Sequence, residues 1–100
     1  MAENNGNYSA SFKNTFDWAS RINVKVFQDK PMLLMATSPG GRGGASVVEI
    51  AKNAFPRYGA NVLATFSLPS FNVNFDVEQM KISDVVLDNQ VKDIVKVFNF

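Results

Sequence analysis

The sequence predicts an α/β fold, a parallel sheet with flanking helices, and three observations carry that expectation. Residues 31–37, PMLLMAT, form an apolar run without alternation, as in a strand covered on both faces. Residues 61–68, NVLATFSL, form a second such run, ended by Pro69. Between them a glycine loop leads into a stretch whose apolar residues recur at the helical period. Strand, loop, helix, strand within about 35 residues is a βαβ unit, so strands 31–37 and 61–66 are expected to be parallel, joined by a right-handed crossover.

Taken in order, the chain opens with MAENNGNYS, which lacks the charged start and apolar middle of a signal peptide. No apolar stretch approaches the ~20 residues of a membrane span, so the cytoplasm is the expected location. In SASFKNTFDWAS, Phe12, Phe16 and Ala19 fall at helical spacing, with Ser9 or Ser11 as cap and Trp18 on the flank. A helix is predicted over 10–21, and residues 22–30 are a connection. Pro31 is tolerated at the first position of a strand. From Ala45, a helix presents Val47, Ala51, Ala54, Phe55 and Tyr58 on one face, with Pro56 near its end and Gly59 as C-terminal cap. PSFNVNFD (69–76) alternates Phe71, Val73 and Phe75 with Asn72 and Asn74, as a short edge strand or an extended loop. Residues 76–88 carry little signal. Leu87, Val91, Ile94, Val95 and Phe98 then mark a C-terminal helix over 88–98, with Asp84 or Asp88 as cap.

Composition narrows the chemistry. One hundred residues make one small domain, and 46% hydrophobic with 19% charged residues is ordinary for a folded one. Ten basic and nine acidic residues give a net charge of +1, which provides no field for nucleic acid and no basic run for a membrane surface. Cysteine and histidine are absent, excluding disulfides, thiol nucleophiles, the usual zinc sites and imidazole-based triads. No metal site and no catalytic side chain are expected. Any redox chemistry falls to a cofactor.

In an open α/β sheet, ligands bind beyond the carboxyl ends of the strands. SPGGRGG (38–44) and SLPSFNVNFD (67–76) lie there, and AENNGNYS (2–9) would be delivered there by a preceding strand. The glycine loop fits neither G-x-x-x-x-G-K-[ST] nor G-x-G-x-x-G, because Ser46 stands where the third glycine is needed. It is either a backbone surface that a flat ligand can approach or simply a tight βα turn. Arg42, the loop's one charge, is a solvated side chain or a partner for a ligand's phosphate or carboxylate. Asn4, Asn5 and Asn7 around Gly6 offer amides to a heterocycle or make a turn. Phe71 and Phe75 serve core packing or cover a ligand.

ENNGNYSASFKNTFDWASR followed by KPMLLMATSPGGRGGASVVE resembles the NAD(P)H-dependent FMN reductase family, which has a flavodoxin-like fold; the likeness spans residues 2 to about 71. It implies a flavin-dependent oxidoreductase using FMN and NAD(P)H, with Glu3, Asn4, Asn5 and Gly6 beside the flavin ring and Ser38, Gly40, Gly41 and Arg42 at the ring's polar edge. Lys13, Asn14, Asp17 and Trp18 resemble the helix that supports the first loop and joins dimers, so a homo-oligomer is expected. Ala2, Asn4 and Asn7 replace the family's proline, tyrosine or histidine, and serine. The family's phosphate loop has no counterpart, and two parallel strands under-fill a sheet serving three helices. Residues 1–100 are therefore expected to be the C-terminal portion of one flavodoxin-like domain, weak or inactive as an enzyme by themselves. The alternative is a non-catalytic fragment that associates with itself or a partner through exposed sheet and helix surfaces, the bare edge of strand 31–37 above all.

Overall fold

In the computed structural model, which describes residues 1–98, the chain opens with a β-hairpin of β1 (Glu3–Asn4) and β2 (Asn7–Tyr8), paired antiparallel. Its turn residues Asn5 and Gly6 have φ of 51° and 77°, the doubly left-handed turn that Asn-Gly favours. Helix α1 (Ala10–Ile22) starts where Ser9 Oγ accepts from the Phe12 N–H at 3.1 Å. It matches the predicted span to within a residue.

Strand β3 (Pro31–Thr37) leads through the glycine loop to α2 (Ala45–Ala54), which tightens into a 3₁₀ turn, Phe55–Tyr58. Gly59, at φ 84°, ends that turn and releases β4 (Asn61–Leu68). β3 and β4 pair in parallel, as predicted, with a register shift between Met32 and Leu33. Leu63 is the extra residue there, so Val62 shares a face with Met32, while Phe66 and Leu68 fall on the face of Met35 and Thr37.

The two faces are covered differently. On the first, Leu34 and Ala36 meet Val47, Val48 and Ala51 of α2, together with Phe55 and Ala60. α1 is held to this core by aromatic rings. Phe55, 3% exposed, has Tyr8, Phe12, Phe16 and Phe27 within 6.1 Å between centroids, and Phe16 meets Tyr58 edge-on at 4.8 Å. Trp18 and Ile22, on the other side of α1, are 70% and 89% exposed.

On the second face, residues 69–76 form neither one continuous edge strand nor an extended loop. Ser70, in the left-handed region, starts a single helical turn, α3 (Phe71–Asn74). Next, β5 (Phe75–Asp76) pairs antiparallel with β6 (Lys81–Ile82). The side chain of Asp76 accepts from the N–H groups of Glu78 and Gln79 and closes that hairpin, a local turn that hydrophobic periodicity does not reveal. α4 (Val85–Lys96) begins earlier than the predicted 88 because Asp84 caps it, its Oδ1 accepting from the Leu87 N–H at 2.9 Å. Between α4, β6 and the sheet, an apolar hollow of about 410 Å³ is lined by Met35, Phe66, Leu68, Phe75, Ile82 and Val91.

Candidate functional site

Two segments meet at the carboxyl end of the parallel pair, and a third reaches the start of α2 through Glu3. β3 delivers Ser38–Gly44, β4 delivers Pro69–Phe71, and the β1–β2 hairpin lies against α2. Backbone bonds join the first two. The Ser38 carbonyl accepts from the Phe71 N–H at 3.0 Å, and the Gly40 carbonyl accepts from the Ser70 N–H at 2.8 Å. The Thr37 hydroxyl donates to the Leu68 carbonyl at 2.8 Å, locking the strand ends together just beneath the loop.

The four glycines of this loop divide into two pairs with different jobs. Gly43, at φ 60°, packs so closely on β4 that a Cβ would lie 2.6 Å from the Leu68 carbonyl carbon and oxygen. Gly44, at φ 80°, is the residue before α2, and a Cβ there would lie 2.7 Å from the Ala36 Cβ. These two are glycine because of the fold. A Cβ on Gly41 would meet nothing within 4 Å, and one on Gly40 only the Ser38 hydroxyl at 3.9 Å. Neither has a positive φ. Nothing inside the protein demands glycine at 40 or 41, yet there the backbone is left bare.

The hairpin turn has the same character. Gly6 needs its φ of 77° for the turn, and the space over it is open. Asn4 and Asn5 are exposed at its tip. Glu3 differs: its Oε1 accepts from the Val47 N–H at 2.7 Å, so the carboxylate caps α2. The Arg42 guanidinium donates to the Ser46 hydroxyl at 3.0 Å and lies along the helix start. Of the eight residues singled out from the sequence, Ser38, Gly40, Gly41 and Arg42 form one continuous ledge, while Asn4, Asn5 and Gly6 form a separate turn. The link between the two groups runs through Glu3 and α2. Sequence reasoning missed that link, because no local pattern relates residues 44 positions apart.

Burial raises the phenol pKa of Tyr8, the nearby Lys13 ammonium partly offsets it, and Tyr58 adds to the rise. Among the described residues, no cluster of three or more His, Cys, Asp or Glu could hold a metal ion, and no helix is long and apolar enough to cross a membrane.

The donor set is chiefly backbone and amide, with the Arg42 guanidinium beside it. It offers bare backbone at Gly40 and Gly41, an open amide-rich turn at Asn4–Gly6, and a helix start already taken by a carboxylate. A parallel strand pair, flanking helices and an open glycine ledge at the strands' carboxyl ends are consistent with a flavodoxin-like α/β protein. The chain belongs to the family of NADPH-dependent FMN reductases, whose family model matches residues 1–74. Searches among curated proteins and among solved structures returned no match.

Proposed function

We propose that this chain forms part of a flavin site in which Asn4, Asn5 and Gly6 line one side of the FMN ring and Ser38, Gly40, Gly41 and Arg42 the other. On this reading the protein serves electron transfer from NAD(P)H. The observation that carries it is the bare backbone at Gly40–Gly41, where glycine serves no internal packing purpose in a chain of the FMN reductase family. Bound FMN supplies the hydride-accepting ring, so no histidine, cysteine or metal is required of the protein. The chain's own contribution is binding and orientation: an open backbone ledge, amide groups at the hairpin tip, and a base joined to the strand ends by the Thr37–Leu68 hydrogen bond. Titrating FMN while following its fluorescence tests this. Saturable quenching, reversed on denaturation, is expected; no quenching at millimolar FMN overturns the flavin reading.

We further propose that residues 1–100 are the C-terminal part of one flavodoxin-like domain. Support comes from the sheet. Strand β3 carries no charged residue, and Met35 is 45% exposed. The 410 Å³ hollow on the second face is of apolar character, as expected where a further helix packs. The same surfaces favour a second reading, a non-catalytic module that pairs with itself or a partner through the β3 edge or through Trp18 and Ile22 on α1. Sedimentation separates the two. A colourless dimer that binds no FMN supports the module, whereas flavin binding that strengthens when the chain is extended before Met1 supports the partial domain.

A further inference from the structure

Glu3 stands at the start of β1, and its contact with Val47 joins two segments 44 residues apart. Val47 is completely buried in the first turn of α2, and that turn has weak capping of its own. Gly44 provides no side-chain acceptor, and no acidic residue occupies the first turn. A helix that rises from a glycine loop ordinarily receives an anion, because its free N–H groups and dipole both favour negative charge. Here the protein's own carboxylate holds that place.

We propose that Glu3 is a positioning and specificity-determining residue: it fixes the Asn4–Gly6 turn relative to the glycine ledge and denies the start of α2 to a ligand's phosphate. A ligand's flat ring can then lie along Gly40–Gly41 while its phosphate is directed away from α2. The ligand in this statement rests on the flavin reading above, but the tether and the exclusion of anions do not. The hairpin has a second anchor, the stacking of Tyr8 on Phe55 with ring planes 6° apart. Loss of Glu3 therefore loosens the β1 strand that leads into the turn, while Tyr8, the cross-strand partner of Glu3, keeps the hairpin on the core.

The test uses the full chain as wild type, Glu3→Ala and Glu3→Gln, with backbone amide NMR of Ser46 and Val47. In wild type, millimolar inorganic phosphate leaves both amide signals in place. In Glu3→Ala, the Val47 amide exchanges with solvent about tenfold faster or more, since a charge-assisted hydrogen bond is gone. Phosphate then shifts both signals saturably. In Glu3→Gln the side-chain carbonyl still accepts from Val47, so slow exchange and FMN affinity return towards wild type, a rescue that a purely electrostatic role would not show. Phosphate shifts at these amides in wild type overturn the exclusion, as does their absence in a folded Glu3→Ala. Unchanged Val47 exchange in Glu3→Ala overturns the tether. If no variant, wild type included, binds FMN, the flavin reading falls while the exchange and phosphate results still decide the role of Glu3.

Discussion

Substituting alanine at two neighbouring glycines should produce opposite outcomes. At Gly43, alanine has to hold a φ of 60°, costing roughly 1–2 kcal/mol for a residue with a Cβ. Its methyl would also sit 2.6 Å from the Leu68 carbonyl group and 2.7 Å from the Pro69 nitrogen, far inside contact distance. That backbone yields only by loosening the 2.8 Å bond from the Thr37 hydroxyl to the Leu68 carbonyl, about 1 kcal/mol more. Gly43→Ala is therefore expected to lose about 2–3 kcal/mol and to lower the melting temperature by roughly 10 °C or more. At Gly41 there is neither a positive φ nor a neighbour within 4 Å, so Gly41→Ala should stay within about 0.5 kcal/mol of wild type. On the proposed flavin reading the new methyl would stand against the ring, so FMN affinity should fall about tenfold, or ~1.4 kcal/mol. Thermal unfolding and fluorescence titration of both variants supply the measurements. A Gly41→Ala protein as unstable as Gly43→Ala, or one that binds FMN like wild type, would refute the division of labour among the glycines.

Phe55→Ala removes the ring on which Tyr8, Phe12, Phe16 and Phe27 converge; urea unfolding should show a loss of about 3–5 kcal/mol, with Phe55→Leu much milder. Ser9→Ala removes the cap of α1 and should cost about 1 kcal/mol by the same assay. Burial favours the neutral Tyr8 phenol, so its pKa is raised above the 10.0 of an exposed tyrosine. The folded state thus holds this proton more tightly than the unfolded chain. The associated stability is fully present below that ordinary value and is lost as pH climbs through the raised one. Tyr8→Phe should flatten the decline in stability that accompanies rising pH in this alkaline range, measured by denaturant unfolding at a series of pH values.

Elements set by a strong local pattern were legible. α1 carries its period and its Ser9 cap within the segment itself, and β3 and β4 are apolar runs bounded by Pro31, Ser38 and Pro69. Shorter pieces were not. Two-residue strands such as β1, β2, β5 and β6 are too brief for any period to register, and they exist because turns at Asn5-Gly6 and Asp76 bring partners together. Phe71, Val73 and Phe75 alternate as a strand would, but Ser70 turns left-handed, α3 forms, and Phe71 stacks on Phe75 at 5.0 Å. Within the candidate site, the glycine ledge could be located from the sequence. Which of its glycines face open space could not.

The residue order by itself determined the α/β class, the parallel pair and the position of the glycine loop at the strands' carboxyl ends. Each of these follows from apolar spacing or backbone freedom within a dozen or so residues. Tertiary structure decided what depends on residues far apart in the chain. The bulge at Leu63 sends Phe66 and Leu68 to the face opposite α2, since a one-residue slip reverses every side chain after it. The approach of β4 commits Gly43 to packing and leaves Gly41 open. The carboxylate of Glu3, 44 residues before Val47 in the chain, caps the start of α2 because only the folded chain brings the two within 2.7 Å.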